Sequence, residues 1–424
     1  MPMVFTSSGC LAFDNNFFVR LGILVICFVV SRRIKRSKVR NIFVLCLGLL
    51  IAGNAFLRNC ILGNLHKSEQ ARNEVANITA KKTNNVYLMI YDGYANRIVR
   101  DALALDVGRP IEDFLSAHGY RVYDAYTVGF GTLESMSAAF TIAGVAGETP
   151  RSTMAGDNVF SDFLKRAGYR TSYLMCGYSM PNSGERMPGD YYYPKALSIK
   201  RPENVLFPCI LRGYLSQSPQ VFNKYTHDDW VVAKNAEIMG GVETSRFIYA
   251  HSNIPDHRSP HPKGRESDAI ERVRYIKQLE RANVEIEFDV NMLEKIEDDA
   301  IVIVASDHGG YLMSPESPGI VDVRNLLDVH GILLAIHWPK DYTPCLELNC
   351  LQNVLLEVMI YLSGDTGLKR YAVSGTTKGI RYPFNTTDGI VVNGVVQTGP
   401  FKGISLFEAA KRCFGNTQTT QDSQ

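Results

Sequence analysis

The hydrophobic positions divide the chain into an apolar N-terminal part and a longer part of alternating short apolar and helical stretches. Residues 42–57 (IFVLCLGLLIAGNAFL) are almost continuously apolar, and a second apolar run covers residues 17–30. The first run approaches the roughly 20 residues that a helix needs to cross a bilayer. We therefore predict a membrane anchor of one or two transmembrane helices over residues 1–65, followed by a polar linker over residues 66–84.

The charge between the two apolar runs predicts how the anchor is oriented. The connector SRRIKRSKVR carries six basic residues and no acidic residue. Basic connectors stay in the cytoplasm, so the chain after residue 65 is predicted to be extracytoplasmic. A cleaved targeting peptide or a buried helical hairpin is the alternative for this region. The formal net charge of +2 is too small to attract nucleic acid by a general electrostatic field. We therefore expect no nucleic-acid partner.

Beyond residue 84, short apolar runs alternate with stretches of helical periodicity, which is typical of an α/β fold. The clearest strand patterns are VYLMIY (Val86–Tyr91) and IVIVA (Ile301–Ala305), because both are continuously apolar. Residues 184–240 contain scattered prolines, and we predict a loop-rich insertion there. Further strands are predicted at residues 171–175, 247–250 and 332–336, and helices from residue 110 and over residues 267–297 and 351–362.

The C-terminal part carries a turn signal of its own. Asn393-Gly394 stands between two Val-Val pairs, and both turn residues tolerate the positive φ angles of a two-residue hairpin. We predict that residues 366–415 form a subdomain with this β-hairpin and complete the preceding α/β domain. The polar residues 416–424 are predicted to be a disordered tail.

The cysteines leave two alternatives open. The chain has nine cysteines, without the CxxC pairs or Cys/His spacing of structural zinc sites. Cys345 and Cys350 could close a short disulfide loop in an oxidising compartment. Free buried thiols are the alternative for this pair.

Polar residues follow three of the predicted strands, at the point where each strand ends. Asp92 follows VYLMIY, His251 follows FIYA, and Asp307-His308 follows IVIVAS. Each residue alone has an ordinary explanation as a turn former or a structural histidine. Together they predict a site at the carboxyl edge of the sheet, where ligands of α/β folds bind. Carboxylates with imidazoles suit a divalent cation, with zinc expected and manganese as the alternative.

A further polar cluster is the segment GFGTLES, which contains Thr132. Glycines allow the backbone to approach a ligand closely. A hydroxyl at the start of a helix can act as a nucleophile when a bound metal activates it. The alternative is an ordinary helix N-cap, a position that threonine often occupies.

Read in order, these clusters resemble the alkaline phosphatase superfamily, in its sulfatase-like membrane branch of phosphoethanolamine and phosphoglycerol transferases and lipoteichoic acid synthases. The resemblance rests on YDGYANRIVRDAL, GYRVYDAYTVGFGTLESMSAAFTIAG, FIYAHSNIPDHRSPH and the long helix, strand and Asp-His-Gly of YIKQLERANVEIEFDVNMLEKIEDDAIVIVASDHGG. It covers residues 85–365. It implies a sulfatase-like catalytic domain with a mostly parallel sheet flanked by helices.

The resemblance also implies which residues bind the metal. Asp92 matches the first metal carboxylate, and Asp307 and His308 match the remaining metal ligands. Thr132 matches the nucleophile, which also touches the metal.

Histidines of the segment after FIYA match residues that bind the phosphate or protonate the leaving group. His251 is one of them, and the second is either His257 or His261. The spacing of this segment departs from the simplest family pattern, so both assignments stay open.

The function implied is a membrane-anchored, metal-dependent transferase that moves a phospholipid headgroup to an envelope glycan or lipid through a phospho-threonine. The resemblance implies a bacterial cytoplasmic (inner) membrane location with the catalytic domain outside. GTLESMS lacks the Cys/Ser-x-Pro-x-Arg motif of sulfatases, which disfavours sulfate-ester hydrolysis. The alternatives are a hydrolase, either a phosphodiesterase, a phosphatase or a sulfuric ester hydrolase, and a degenerate non-catalytic protein that binds the envelope.

Overall fold

The computed structural model describes the part of the chain that forms the α/β domain and its C-terminal extension. Within this part, no helix is both long enough and apolar enough to cross a membrane. The anchor predicted over residues 1–65 lies outside the described residues. The described residues are 73–105, 108–145, 149–175, 186–194, 226–241, 244–257, 268–297, 299–313, 322–381, 385–388 and 390–421.

Two central strands are made of apolar residues that are buried along their whole length. The two strands predicted from continuous apolar runs have the predicted bounds, and every residue in them is buried. In chain order the strands are β1 (Val86–Tyr91), β2 (Arg121–Val122), β3 (Ala125–Tyr126), β4 (Arg170–Met175), β5 (Tyr191–Tyr193), β6 (Arg246–Ser252), β7 (Ile301–Ala305), β8 (Gly331–Ile332), β9 (Leu334–His337), β10 (Lys378–Arg381), β11 (Asn385–Asp388), β12 (Val391–Val392) and β13 (Val395–Val396).

Seven of these strands form one sheet in the order β2-β9-β7-β1-β6-β4-β5. The neighbours from β7 to β5 pair in parallel, whereas β9 is antiparallel to β7 and β2 is antiparallel to β9. Side chains alternate between the faces of a strand, so Leu88 and Met89 of β1 enter the cores on opposite faces. The domain is therefore an α/β structure with a mixed, mostly parallel sheet.

Helices bury apolar residues against both faces of this sheet. Met136, Phe160 and Val354 contribute to the core that contains Leu88, and Trp230 contributes to the core that contains Met89. In chain order the α-helices are α1 (Arg97–Ala102), α2 (Ile111–Ala117), α3 (Thr132–Ala139), α4 (Pro150–Met154), α5 (Val159–Arg166), α6 (His227–Met239), α7 (Asp268–Ile296), α8 (Val323–His330), α9 (Val354–Ser363) and α10 (Leu406–Gln421), and 3-10 helices cover Leu351–Asn353, Thr366–Tyr371 and Gly399–Phe401.

Two predicted strands differ from those observed. The strand predicted at residues 332–336 is divided at Leu333 into β8 and β9, which pair with different strands. The division follows from Leu333, whose backbone N–H donates to Ser306 Oγ at 3.0 Å and whose carbonyl accepts from the Ser306 N–H at 2.9 Å. The strand predicted at residues 247–250 extends to Ser252, so His251 lies within β6 rather than after it.

The segment predicted to be a loop-rich insertion contains helix α6. The helix begins with a capping box between Thr226 and Asp229. Trp230 and Lys234 are both buried, and the Lys234 ammonium lies 2.6 Å from Asp289 Oδ1 of α7. A charged residue on the buried face hides the apolar periodicity on which a helix prediction depends.

The C-terminal part contains the predicted hairpin and a helix that was not predicted. Strands β12 and β13 pair around Asn393 and Gly394, whose φ angles are 50° and 74°. Helix α10 buries Leu406 and Ala410 and continues to Gln421, so helical backbone includes the first residues of the predicted tail. A helix that is anchored by its buried first turns can extend through polar residues, since propagation is easier than nucleation.

The cysteine pair for which two alternatives were open consists of free thiols. Cys345 is half-buried and Cys350 is buried. Burial raises the pKa of the Cys350 thiol to about 12, so this thiol stays protonated and unreactive at neutral pH.

Candidate active site

Three neighbouring strands of the sheet, β7, β1 and β6, bring polar residues to one edge. In the pairing register, Ile90 of β1 lies beside Ala305 of β7 and His251 of β6. The three strands are parallel, so the residues that follow them emerge at the same carboxyl edge. Asp92 and Asp307 therefore lie next to each other and next to His251.

The side chains of Asp92, Asp307 and His308 converge on a small volume at this edge. Nε2 of His308 lies 3.3 Å from Oδ1 of Asp92 and 3.4 Å from Oδ2 of Asp307. Asp307 and His308 are buried, and the Asp92 side chain is 20% exposed. The structure thus brings together the residues that the sequence places after two different strands.

Thr132 lies at the same place because helix α3 begins at the carboxyl edge. Its Oγ1 lies 3.4 Å from Nε2 of His308. Thr132 is the first residue of α3, whereas the N-cap is Gly131 and makes no side-chain capping bond. The hydroxyl of Thr132 therefore does not cap the helix. The preceding loop packs tightly, since a Cβ on Gly129 would come within 2.5 Å of the Ser135 nitrogen.

The donor atoms of this cluster fit a divalent cation. Asp92 Oδ1, His251 Nε2 and Asp307 Oδ2 are buried and have no hydrogen-bond partner among the described residues. Ligand atoms of Asp92, His251 and Asp307 lie within 4.8 Å of one another, as do those of Asp92, His257 and His308. Two ligands bound tetrahedrally to one zinc ion at about 2.0–2.1 Å lie about 3.3–3.4 Å apart. The observed separations around His308 Nε2 match that value and are too long for strong hydrogen bonds.

Backbone groups hold Asp307 and His308 in the orientation that this cluster needs. The N–H groups of Gly93 and His308 donate to Oδ1 of Asp307 at 3.1 and 3.0 Å, which leaves Oδ2 facing the cluster. Nδ1 of His308 lies 2.8 Å from the Gly309 carbonyl, to which a proton on Nδ1 donates. The Nε2 lone pair of His308 then points into the cluster, as in metal-binding histidines with a second partner.

The electrostatics of the two carboxylates differ. Burial, together with the negative charges of Asp307 and Asp256, raises the pKa of Asp92 well above its ordinary range. Burial also opposes ionisation of Asp307, but His308 and His251 outweigh it and lower the pKa of that carboxyl. A cation beside both groups would stabilise their charged forms together.

His251 lies among the carboxylates rather than apart from them. Its Nε2 is 3.8 Å from Oδ2 of Asp307, and its Nδ1 is 2.6 Å from the Tyr249 hydroxyl. Burial lowers the pKa of His251 to about 4, with a further lowering from His308 and an opposing effect of Asp307. His251 is therefore neutral at neutral pH and offers a lone pair for metal binding as readily as for a substrate.

His257 occupies the outer side of the cluster, and its side chain is 30% exposed. Its ring lies 5.1 Å from the ring of His308, measured between centroids. His261, the other candidate for a second histidine, lies outside the described residues. Beside His257 is a cavity of about 280 Å³ whose lining includes Asp256, Arg274 and Leu312.

The structure adds two tyrosines that the sequence analysis did not select. Tyr249 contacts His251, and the alternation of a strand places the two side chains on the same face of β6. Tyr311 follows the Asp-His-Gly-Gly segment and contacts two histidines of the cluster. Burial and the charges of Asp307 and Asp92 raise the pKa of the Tyr311 hydroxyl, which keeps it protonated.

The comparisons with known proteins identify similar structures. No family model matches the chain, and no curated protein matches it in sequence. The C-terminal periplasmic domain of EcEptC from Escherichia coli is similar with a TM-score of 0.47 and 14% identity, over 74% of this chain and 95% of that chain. The soluble domain of lipooligosaccharide phosphoethanolamine transferase A from Neisseria meningitidis gives a TM-score of 0.41 and 13% identity, over 67% and 91% of the two chains.

A third similar structure is the lipoteichoic acid synthase LtaP from Listeria monocytogenes. Its TM-score is 0.42 and its identity 12%, over 83% of this chain and 97% of that chain. These proteins are of the kinds that the sequence motifs resemble.

Proposed function

We propose that this protein transfers a phospholipid headgroup, phosphoethanolamine or phosphoglycerol, to an envelope glycan or lipid through a covalent phospho-threonine at Thr132. The observation that supports it is the placement of the Thr132 hydroxyl 3.4 Å from His308 Nε2, inside a cluster with the spacing of metal ligands. A nucleophile that lies beside a metal site is well placed to attack the phosphorus of a phosphodiester.

The residues that would hold a divalent cation, zinc or alternatively manganese, are Asp92, Asp307, His308 and the Thr132 hydroxyl. His251 is a further candidate ligand, because its Nε2 belongs to the same group of atoms. When bound, such a cation lowers the pKa of a coordinated hydroxyl and stabilises negative charge on phosphoryl oxygens. Burial of the cluster strengthens these interactions, since water screens them less.

In the first step, Thr132 Oγ1 forms a bond to the phosphorus of the donor lipid. The bond between phosphorus and the glycerol oxygen of the lipid breaks, and the Thr132 hydroxyl proton is released to solvent. The leaving alkoxide takes a proton from His257, which lies at the outer, partly exposed side of the cluster. The products of this step are diacylglycerol and phosphorylated Thr132.

In the second step, a hydroxyl of the acceptor attacks the phosphorus bound to Thr132. His257, now neutral, takes the proton of that hydroxyl, and the bond between phosphorus and Thr132 Oγ1 breaks. The Thr132 oxygen recovers a proton from solvent. The first turn of α3 provides backbone N–H groups beside this oxygen, and these favour negative charge at the helix start.

The N-terminal sequence supports a lipid as donor. An anchor of one or two helices would keep the catalytic domain at the outer surface of a bacterial cytoplasmic membrane. Tethering raises the effective concentration of a lipid substrate for the site.

The experiment uses the full chain in detergent, zinc-loaded and mixed with vesicles of phosphatidylethanolamine and phosphatidylglycerol. We expect release of diacylglycerol, which Thr132→Ala abolishes and Thr141→Ala, just beyond the C-terminal end of α3, leaves intact. Free phosphoethanolamine or phosphoglycerol in equal amount, with or without an envelope glycolipid, would identify a hydrolase instead. No diacylglycerol from either lipid would overturn the proposal.

A further inference from the structure

Tyr311 has an unusual backbone conformation directly after the Asp-His-Gly-Gly segment. Its φ angle is 52°, in the left-handed region that bulky residues rarely adopt. A conformation of this kind is energetically unfavourable and persists only where the surrounding structure requires it. The preceding turn is held closely, since a Cβ on Gly309 would come within 1.9 Å of the Asp328 carbonyl oxygen.

This conformation places the Tyr311 ring against two histidines of the site. The ring centroid lies 5.1 Å from that of His257 and 5.1 Å from that of His308. The ring of His257 is perpendicular to it, at 90°, and that of His308 is tilted by 34°. The phenol is therefore fixed between the histidine at the outer side and the one inside the cluster.

Several carboxylates of the site lie within electrostatic range of the Tyr311 hydroxyl. The negative charges of Asp307, Asp92 and Glu134 disfavour ionisation of this hydroxyl. Glu134 belongs to the first turn of α3, beside Thr132. Among the described residues, none forms a hydrogen bond with this hydroxyl. Its proton is therefore available to a ligand bound beside His257 and His308, the two histidines that the ring contacts.

A phosphoryl group needs hydrogen-bond donors, and the other side chains of the cluster supply few. The carboxylates of Asp92 and Asp307 accept hydrogen bonds only, and His308 presents a lone pair to the cluster. A phenol O–H is a neutral donor that can approach a phosphoryl oxygen without adding charge.

We propose that Tyr311 is a further catalytic residue whose hydroxyl donates a hydrogen bond to a non-bridging oxygen of the bound phosphoryl group. This inference rests on the proposed function only in taking a phosphoryl group as the ligand of the site. It does not require Thr132 to form a covalent intermediate.

The test measures binding of inorganic phosphate to the zinc-loaded full chain by isothermal titration calorimetry. Tyr311→Phe removes the hydroxyl and keeps the ring contacts, and it is expected to weaken phosphate binding about 10- to 100-fold. The zinc content should stay that of the unmodified protein. Tyr169→Phe is the matched control, because its hydroxyl donates to the Asn84 carbonyl at 2.7 Å, next to the opposite end of β1. This control should bind phosphate as the unmodified protein does.

Equal phosphate affinity of Tyr311→Phe and the unmodified protein would overturn the inference, as would absence of phosphate binding by the unmodified protein. Loss of binding in Tyr311→Phe together with full turnover of Thr132→Ala would leave the inference standing and refute the covalent mechanism. The two proposals therefore fail on different results.

Discussion

Oδ1 of Asp92 lies 3.3 Å from Nε2 of His308, although the two residues follow different strands at the carboxyl edge of the sheet. This separation is longer than that of a strong hydrogen bond and matches two ligands of one cation. With Asp307 and Thr132 around the same nitrogen, the arrangement favours a metal centre over an isolated ion pair.

Removal of either residue should therefore remove the metal. Asp92→Asn and His308→Ala are expected to weaken zinc binding by more than the about 10- to 100-fold that losing a hydrogen-bond partner of a metal ligand costs. His337→Ala is the control, since its Nδ1 lies 3.0 Å from the Ala300 carbonyl, beside the opposite end of β7. Elemental analysis of dialysed protein measures the effect. Zinc contents equal to that of the control would contradict a metal site here.

The tight contact at Gly309 leads to a second prediction. A Cβ there would meet the Asp328 backbone oxygen at 1.9 Å, so Gly309→Ala must displace the turn that carries His308. Overpacking of this kind typically costs about 1–3 kcal/mol. We expect a lower melting temperature and weaker zinc binding. Gly241→Ala is the control, because no atom lies within 4 Å of its added Cβ. A Gly309→Ala protein with the zinc affinity of the control would refute the role of this contact.

The buried Lys234 ammonium stabilises the packing of α6 on α7. It lies 2.6 Å from Asp289 Oδ1 and 3.3 Å from Glu285 Oε1, and the Lys234 side chain is 0% exposed. Asp289 in turn accepts from the Tyr91 hydroxyl at 2.9 Å, at the end of β1 directly before Asp92. The charge network thus supports the strand that carries the first site carboxylate.

Lys234→Met should leave Asp289 buried without a counter-charge and Glu285 with only its His227 partner, and lower the free energy of unfolding by about 3–5 kcal/mol. The exposed pair of Arg281 and Asp228 joins the same two helices, and Arg281→Ala should cost about 0–1 kcal/mol. Urea denaturation at neutral pH compares the two variants. A Lys234→Met protein as stable as Arg281→Ala would show that the network contributes little.

Glu285 gives this network a defined pH dependence. Burial alone would raise its pKa, but the hydrogen bond from His227 and the charge of Lys234 outweigh burial and lower it. A lowered folded-state pKa means that the ionised form stabilises the native protein, and this stability is present above the unfolded pKa of about 4.3. It is lost as the pH falls through the folded pKa.

The difference in free energy of unfolding between the unmodified protein and Glu285→Gln should therefore be largest at neutral pH and shrink below about pH 4. Urea titrations at several pH values measure this difference. A difference that stays constant, or grows in acid, would contradict the sign of the Glu285 effect.

The sequence predicts best the features that depend on continuous apolar runs. Strands β1 and β7 have the predicted bounds because they are buried on both faces, and Asp92 and Asp307 could be selected because they follow such strands. Helix α6 could not be predicted in the same way, because buried Lys234 breaks its apolar pattern. The position of the Tyr311 ring could not be predicted, because it depends on a positive φ angle, which a sequence does not indicate at a non-glycine residue.

Mass spectrometry of Thr132 tests the covalent mechanism most directly, after the zinc-loaded full chain is mixed with phosphatidylethanolamine or phosphatidylglycerol vesicles and quenched in acid. We expect a phosphoethanolamine or phosphoglycerol adduct on the peptide that contains Thr132, formed as diacylglycerol appears and absent from Thr132→Ala. The mechanism would be contradicted if diacylglycerol is released while Thr132 stays unmodified throughout the time course, or if release continues in Thr132→Ala.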